Sequence, residues 1–299
     1  MALWQTNWVI ERLCEIYPQY EFKIRTFDTQ GDQVLDVALS KIGDKGLFTR
    51  ELEQALLEEE IDCAVHSLKD MPSVMPEGLY LGAIGKREHP GDVLVSRGVA
   101  FRDLPQGARI GTSALRRSAQ LLCARPDLKV FPLRGNVQTR LRKLDQEGYD
   151  GIVLAAAGVI RLNLQHHITE FLPTEMCLPA VGQGAIAVQC READTSVLCV
   201  LEGIDDEPTR VATTAERSLM QELGGGCQVP LAALAEWREG VLSMEALVAS
   251  LEGTRVLRAG RTLAQQSGCD IRAAHALGVR VAQDLRGQGA EEILADLRP

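Results

Sequence analysis

Segments with the pattern of β-strands alternate with segments with the pattern of helices between residues 62 and 155. Short apolar runs bounded by polar residues predict strands, and apolar residues repeated every three or four positions predict helices. The predicted strands span 62–66, 92–96, 108–112, 129–133 and 151–155, and the predicted helices span 113–125 and 136–147. Alternation of this kind favours twisted, partly parallel α/β sheets.

The chain changes character toward its two ends. A helix is predicted up to Pro18, then a strand at 20–27 and an amphipathic helix at 46–60. A strand at 185–190 is expected to return to the first sheet. From about residue 206 the pattern predicts one helix, three strands and two closing helices, which is typical of a small α+β domain. Those elements span 209–223, 229–237, 240–249, 253–260, 270–287 and 290–297.

Composition narrows the function classes. The chain has 41 acidic residues against 32 basic ones, a formal charge of -9, so we expect no nucleic-acid partner. The longest nearly apolar run, 151–160, is too short to span a bilayer, and no export signal is recognisable, so we expect no membrane association. The eight cysteines are dispersed without metal-ligand spacing, which predicts reduced thiols, no metal site and a cytoplasmic location.

Basic residues cluster where the predicted strands end. In open α/β sheets, ligands bind outside the carboxyl ends of strands. Arginine favours carboxylate or phosphate partners, and the chain has neither a P-loop nor a dinucleotide fingerprint. The pattern therefore predicts a cleft for a ligand with several carboxylates, although solvated surface arginines remain an alternative. The basic residues concerned are Lys45, Lys69, Arg116, Arg117, Arg134, Arg140 and Arg161.

Two other residues have a possible chemical role. Asp70 is the one acid in the basic turn 66–72, where it either pairs with Lys69 or stabilises a positive charge and moves a proton. Cys227 follows three glycines, where it is either a small buried residue beside a helix cap or an attachment point for a bulky group. His66 is expected to pack at its strand end.

Five motifs resemble those of the porphobilinogen deaminase family, also called hydroxymethylbilane synthases. They are HSLKDMP (66–72), GTSALRR (111–117), LRGNVQTR (133–140), LPAVGQGA (178–185) and GGGCQVP (224–230). They occur in this order, and the resemblance runs from about Ala2 to the C-terminus.

The resemblance implies a three-domain fold. Two α/β lobes, similar to those of type II periplasmic binding proteins and built on doubly wound mixed sheets, flank a cleft, and a small α+β domain follows. The implied boundaries are 1–85 with 183–203 for the first domain, 90–179 for the second and 206–299 for the third.

The resemblance also implies an activity. Members join four porphobilinogen molecules head to tail with loss of ammonia and release the linear tetrapyrrole hydroxymethylbilane by hydrolysis. A dipyrromethane cofactor primes the reaction through a thioether bond, for which Cys227 matches the family position. The expected partners are porphobilinogen and the growing polypyrrole chain, and we expect a monomer.

Individual roles follow from the matching positions. Asp70 matches the family's catalytic aspartate. Loss of ammonia leaves a cationic azafulvene, which that carboxylate stabilises. The loop 40–46 is expected to cover the cleft. Cofactor contacts are implied for Ser67, Lys69, Asp70, Thr112, Ser113, Arg116 and Arg117, and substrate-carboxylate contacts for Lys45, Arg134, Arg140 and Arg161.

The sequence departs from the family pattern at its start. Family chains normally begin with a strand that carries an arginine and a serine just before the Ala-Leu-Trp-Gln motif, whereas here Met1 directly precedes Ala2. A sheet without that strand has unpaired backbone groups, so we expect this form to be impaired in stability, activity or both.

Two other functions compete with this interpretation. A non-catalytic carboxylate-binding protein of periplasmic type would explain the arginines but not Cys227 or Asp70. An enzyme that uses Cys227 as a transient nucleophile would need a nearby base, and no histidine in the local sequence is an obvious candidate.

Overall fold

The computed structural model of the protein describes residues 1–29, 49–225, 229–264 and 270–295. Strands in these residues form three sheets. The helices are α1 (Ala2–Ile16), α2 (Arg50–Leu57), α3 (Leu115–Ala124), α4 (Val137–Gln146), α5 (Ala156–Arg161), α6 (Thr195–Leu201), α7 (Glu207–Glu222), α8 (Ile271–Gly287) and α9 (Ala290–Ala295). The strands are β1 (Cys63–Ser67), β2 (Leu79–Ile84), β3 (Asp92–Ser96), β4 (Arg109–Gly111), β5 (Lys129–Phe131), β6 (Gly151–Ala155), β7 (Glu170–Phe171), β8 (Ile186–Arg191), β9 (Leu231–Arg238), β10 (Val241–Ala249) and β11 (Val256–Ala264).

The first sheet has the strand order β1-β8-β2, and both pairings are antiparallel. Its central strand, β8, comes from much later in the chain, so the expected return of this segment to the first sheet is confirmed. Helix α1 packs on the sheet because Val9 and Leu13, four residues apart, lie on one helix face and meet Ile186 and Val188.

The second sheet has the order β5-β4-β6-β3-β7. Strand β4 is parallel to β5 and β6, whereas β3 is antiparallel to β6 and β7. Neighbouring residues of one strand enter different cores: Leu94 packs in one cluster, and Val93 and Val95 in another. Both faces of this mixed sheet are therefore covered, as is typical of α/β folds.

The third sheet is an antiparallel meander, β9-β10-β11. Helices α7 and α8 cover one face, where Val211, Leu219, Leu242, Met244 and Val281 are fully buried. The predicted fold class, α/β sheets followed by a small α+β unit, is thus confirmed. The mixed character lies in the second sheet, since the described strands of the first are antiparallel. The predicted domain boundaries stay a prediction.

Two predicted elements of the first lobe differ in the structure. The segment 20–27 alternates like a strand, but no strand is assigned there, and among the described residues β1 pairs only with β8. Alternation of apolar and polar residues shows that a segment could form a half-buried strand, but it does not provide the neighbouring strand with which to pair. The helix predicted at 46–60 is found as α2 from residue 50 to 57, and Glu59 follows it with a positive φ of 59°. That left-handed conformation cannot continue a helix.

Strand β2 and helix α6 were absent from the sequence prediction. Strand β2 contains Gly82, where its register with β8 shifts. A Cβ at this glycine would lie 2.6 Å from a methyl carbon of Leu201. The irregular register breaks the alternation from which the strand could have been predicted.

A buried carboxylate joins the second sheet to the segment that leads back to the first. Asp92, at the start of β3, is 0% exposed. It accepts hydrogen bonds from Arg116 Nη1 and Arg117 Nη2, both at 2.7 Å, and from Gln183 Nε2 at 2.9 Å. Burial alone would raise the pKa of Asp92, but the two guanidinium groups outweigh it and hold the pKa well below its usual range.

A second buried carboxylate joins the third sheet to the first. Glu216 of α7 is 0% exposed and accepts from Arg87 Nη1 at 2.6 Å. It also accepts from the backbone N–H groups of Gly182 and Ala235, at 2.7 and 2.8 Å. Arg87 follows β2 and Ala235 lies in β9, so one side chain fixes the third sheet against the first.

Asp92→Asn should lower the free energy of unfolding by about 3–5 kcal/mol, because it leaves the guanidinium groups of Arg116 and Arg117 buried without a counter-charge. Urea denaturation at neutral pH measures the loss. The stabilisation by Asp92 is complete above the pKa that this residue has in the unfolded chain, and it declines below that pH, so the difference should narrow in acid. The matched control is Asp284→Asn, which removes a surface pair with Arg261 and should cost much less. Equal losses would contradict the role of Asp92.

Candidate functional site

A cleft with a volume of about 1220 Å³ lies beside the ends of β1 and β6. Its wall includes parts of α1, α4 and α5, so both the first and the second sheet contribute residues to it. This volume exceeds the ~300–1,000 Å³ usual for a site that holds one small molecule. The cleft therefore suits a large or extended ligand.

Asp70 reaches the cleft on the short 3₁₀ turn Leu68–Asp70, directly after β1. Leu68, 1% exposed, anchors this turn in the core. The Asp70 side chain is open to the cleft, but protein atoms flank it on the other sides. Their exclusion of water raises the pKa of Asp70, while Lys69, Arg140 and a hydrogen bond with Ser67 oppose that rise.

Lys69 and Arg140 are the cations that face Asp70. Burial lowers the pKa of Lys69, and the charge of Asp70 counteracts this. Burial lowers the pKa of Arg140 to about 10, with further contributions from the like charges of Arg117 and Arg134. Positive charge is thus crowded here, and the one carboxylate does not offset all of it.

Local backbone geometry directs Arg140 toward the cleft. Asn136 caps α4 by accepting a hydrogen bond from the N–H of Thr139 at 2.9 Å. Gly135 has a φ of 111°, in the region that favours glycine, and its carbonyl accepts from Arg140 Nε at 2.7 Å. The turn before the helix therefore fixes the guanidinium group.

The adjacent arginines of α3 have different positions. Arg117 lines the cleft, donates to Asp92 and to the carbonyl of Val153, and has a buried Nε without a hydrogen-bond partner among the described residues. Arg116 is 6% exposed, donates to Asp92 and to the carbonyl of Leu178, and is not among the described residues that line the cleft. The structure thus places one arginine at the surface of the cleft and the other behind it.

Arg161, at the end of α5, also lines the cleft. Its Nη2 donates to the carbonyl of Gly184 at 2.8 Å, and its guanidinium carbon lies 5.5 Å from the ring centroid of Trp4. Burial lowers its pKa. The side chain is held from two directions.

The predicted hydroxyl residues lie at strand ends, where they bond to the protein itself. Ser113 Oγ both donates to the carbonyl and accepts from the N–H of Leu133, each at 2.9 Å. Thr112 Oγ1 accepts from the N–H of Ala114 at 3.3 Å. Neither Thr112 nor Ser113 is among the described residues that line the cleft, whereas Ser67 is.

Some predicted residues are not brought into this site by the described structure. Arg134 is half-buried, and its positive charge contributes to lowering the pKa of Arg140, which lines the cleft. Cys227, Lys45 and the expected covering loop 40–46 lie outside the described residues.

Sequence reasoning missed residues that support the site. Gln5 of α1 is 3% exposed, and its Nε2 donates to Ser67 Oγ at 2.9 Å. Gln138 lines the cleft, and Asp92 orients Arg117 from behind. The sequence did contain a signal for Asp92: it is an acidic residue at the start of an otherwise apolar strand. A buried charge needs a partner, so a cation near this position could have been expected.

His66 has the structural position that the sequence indicated. It is 7% exposed, and its Nε2 lies 3.1 Å from Gln189 Oε1, across the pair β1–β8. Burial lowers the pKa of His66 to about 4, so the ring is neutral near pH 7.

The chemistry of the cleft fits an anionic ligand with several carboxylates. Lys69, Arg117, Arg140 and Arg161 line the cleft together with Asp70, and the buried Nε of Arg117 has no hydrogen-bond partner among the described residues. Guanidinium groups bind carboxylates with two parallel hydrogen bonds. Asp70, in turn, can stabilise a positive charge on the same ligand.

Comparisons with known proteins identify related chains. Residues 1–199 match the family model "Porphobilinogen deaminase, dipyromethane cofactor binding domain", and residues 211–287 match "Porphobilinogen deaminase, C-terminal domain". Porphobilinogen deaminases of Desulforamulus reducens and Carboxydothermus hydrogenoformans are 53% and 52% identical to the chain. The matches cover 100% of it and 95% and 94% of those proteins, respectively.

Solved structures show a more distant likeness. The periplasmic VFT2 domain of Bordetella pertussis BvgS is 17% identical, with a TM-score of 0.40 over 66% of this chain and 75% of that chain. In the described part of the chain, no helix has the length and apolar character needed to cross a membrane.

Lys69→Met should raise the pKa of Asp70 further, because it removes the neighbouring positive charge that most strongly opposes the effect of burial. Carbon-detected NMR titration of labelled aspartate carboxyls measures the pKa, and Asp70→Asn assigns the signal. Lys86→Met is the control, since Lys86 has no part in the shift of Asp70 and should leave it unchanged. An unaltered or lower pKa in Lys69→Met would show that the two groups do not interact.

Proposed function

Because the chain belongs to the porphobilinogen deaminase family, we propose that its basic cleft holds the growing pyrrole chain and that Asp70 is the catalytic residue. The protein is a deaminating transferase of tetrapyrrole biosynthesis, a hydroxymethylbilane synthase that uses a dipyrromethane cofactor. The observation that carries our assignment of residues is the Asp70 carboxylate, open to the cleft between Lys69 and Arg140.

The reaction determines which groups the protein has to supply. Each porphobilinogen loses ammonia from its aminomethyl carbon, and that carbon bonds to a free ring carbon of the preceding pyrrole, which gives up a proton. Four additions release four ammonia molecules, and one water then frees hydroxymethylbilane. Positive charge develops on the pyrrole as ammonia leaves, so a nearby carboxylate lowers the barrier.

Asp70 fits both requirements of each addition. In its ionised form it stabilises the positive charge that develops on the pyrrole. Its raised pKa makes it a better proton acceptor than an ordinary aspartate, so it can also take part in proton transfer. The 3₁₀ turn that carries it holds the carboxylate in one place, which avoids reorganisation during the reaction.

The cations divide into those that contact the ligand and those that support them. Lys69, Arg117, Arg140 and Arg161 line the cleft, and we assign them to the acetate and propionate groups of the pyrroles. We assign Arg116 to fixing the Asp92 network that orients Arg117.

The other predicted site residues have supporting roles, and one of them, Lys45, is assigned from its sequence position alone. We assign Thr112 and Ser113 to shaping the strand-end turns, and Ser67 to positioning Asp70. Arg134 contributes charge beside Arg140. Lys45 matches a family position for substrate carboxylates, and this part of the proposal rests on the sequence.

The cofactor fits the residues present. When bound, dipyrromethane supplies the terminal pyrrole to which the first porphobilinogen adds. The crowded cations and the open donor of Arg117 match its carboxylates. We propose Cys227 as its attachment point, because the glycines at 224–226 leave space beside the sulfur.

We further propose the three-domain division at 1–85 with 183–203, 90–179 and 206–299, a monomeric state and a cytoplasmic location. Each proposed unit contains one of the three sheets. Cys14, Cys123 and Cys199 are exposed free thiols, which suits a reducing compartment. Light scattering after gel filtration tests the monomer, and a dimer mass would contradict it. Nothing in the fold or the family match favours the non-catalytic carboxylate-binding alternative.

The protein made in a host that synthesises porphobilinogen should carry a covalent addition equal to two pyrrole units. Intact-protein mass spectrometry measures it. The addition should be absent from Cys227→Ser and present in Cys199→Ser, which removes an exposed cysteine instead. An addition that persists in Cys227→Ser would place the attachment elsewhere.

Asp70→Asn should lower kcat by at least about 100-fold, because the neutral amide neither stabilises a cation nor accepts a proton. Steady-state assays with porphobilinogen measure kcat, and circular dichroism checks that the fold is kept. Asp103→Asn, at an exposed position outside the cleft wall, is the control and should keep normal turnover. Near-normal turnover in Asp70→Asn would remove Asp70 from the mechanism.

A further inference from the structure

Arg217 of α7 reaches the segment that follows Asp70. Its Nη2 donates to the carbonyl oxygen of Pro72 at 2.7 Å and, more weakly, to that of Ser73 at 3.4 Å. The same nitrogen lies 3.9 Å from the sulfur of Met75. A helix of the third sheet's layer thus holds the backbone two residues beyond the proposed catalytic carboxylate.

Among the described residues, the charge of Arg217 has no carboxylate partner. No ion pair joins Arg217 to an acidic residue within the described ranges, and its buried Nη1 has no hydrogen-bond partner there. Burial lowers its pKa to about 10. Burying a charge without a counter-charge is costly, so fold stability alone does not explain a guanidinium at this position.

The Asp70 turn needs support on its downstream side. Upstream, Ser67 is bonded to Gln5, and Leu68 is buried. Met71 is extended, with φ -79° and ψ 141°, as expected for a residue before proline. The extended chain then leaves the turn through Pro72, where Arg217 holds the carbonyl.

Helix α7 is a rigid support for this contact. Glu216, the residue before Arg217, accepts hydrogen bonds from Arg87 and from the N–H groups of Gly182 and Ala235. These hydrogen bonds of Glu216 fix α7 against the first sheet directly beside Arg217. Five residues after Glu222, at which the helix ends, the sequence reaches Cys227.

We propose that Arg217 is a positioning residue: by holding the Pro72 carbonyl it fixes the Asp70 turn relative to the helix that precedes the cofactor-bearing cysteine. This inference rests on the proposed function, because it assumes that Asp70 is catalytic and that Cys227 carries the cofactor. The contact ties the acid of the first lobe to the element from which the pyrrole chain starts. A misplacement of about 1 Å at a reacting group can cost ~100-fold in rate.

Arg217→Met keeps the length of the side chain and removes its donors. We expect kcat to fall about 10- to 100-fold with KM changed less than about twofold, since the substrate-binding arginines stay in place. The acid limb of the pH–kcat profile should move to lower pH. A loosened turn admits water to Asp70, which lowers its pKa, while Lys69, Arg140 and Ser67 still face it. Arg217→Lys, which keeps one donor group, should fall between wild type and Arg217→Met.

A second measurement does not depend on turnover. Hydrogen–deuterium exchange of the peptide 68–75 should be faster in Arg217→Met than in wild type, because the backbone loses its anchor. If Arg217→Met fails to fold, Arg217→Lys takes its place in both measurements. If kcat, the pH profile and the exchange rate all stay at wild-type values in the variant that is measured, Arg217→Met or its replacement Arg217→Lys, the inference is overturned.

Arg210→Met is the matched control on the same helix. Arg210 also donates to carbonyls of the first lobe, those of Leu81 and Gly82, but it pairs with Asp205 and has no bond to the Asp70 turn. The Arg210→Met substitution should lower Tm and leave kcat, the pH profile and hydrogen exchange at 68–75 unchanged. The same pattern in Arg217→Met, a lower Tm with normal kcat, would show that Arg217 is merely structural.

Asp70→Asn, assayed in parallel, separates this inference from the proposed function. Normal turnover in Asp70→Asn refutes the role of Asp70 and with it the inference. Lost turnover in Asp70→Asn beside normal turnover in Arg217→Met overturns the inference alone.

Discussion

The ion pairs of Asp92 are the interaction on which the cleft depends. Two adjacent arginines at the start of α3 would repel each other in a buried place. The Asp92 carboxylate lies between them and accepts a hydrogen bond from each, which reduces the repulsion, and it also accepts one from Gln183. Arg116 is thereby locked into the protein, and Arg117 is presented to the cleft. The same contacts tie the second sheet to the chain segment that returns to the first. The one buried charge of Asp92 thus both positions Arg117 at the cleft and joins the second sheet to the segment that leads to the first.

Charge is distributed unevenly over the molecule. The chain as a whole has a formal charge of -9, yet Lys69, Arg117, Arg140 and Arg161 all line one cleft, and Lys69 and Arg140 act on Asp70. Crowding of this kind is unfavourable without an anion, which is why the pKa of Arg140 is lowered to about 10 by burial and its like-charged neighbours. Under the proposed assignment, the carboxylates of bound pyrroles supply the missing charge, so binding relieves a repulsion that the folded protein maintains.

Strands β1, β3, β4, β5 and β6 and the basic residues at their ends were predictable, because periodicity is a local property and ligands bind at the carboxyl ends of strands. Arg116 and Arg117 were not distinguishable from sequence, since only the position of Asp92 decides which of them faces the cleft. The strand predicted at 20–27 failed because a strand requires a partner that no local pattern specifies. Arg217 was missed for a similar reason: its contact with Pro72 joins parts of the chain that are far apart in sequence.

The central place of β8 in the first sheet has a consequence for synthesis of the chain. Strands β1 and β2 emerge from the ribosome early, but they have no direct pairing with each other, because the strand between them follows only after the whole second sheet. The second sheet is drawn from one continuous stretch, so it can fold as soon as that stretch is complete, as compact units generally do during translation. The amino-terminal lobe is therefore completed only after its neighbour, when the ribosome has passed the middle of the protein and has made β8.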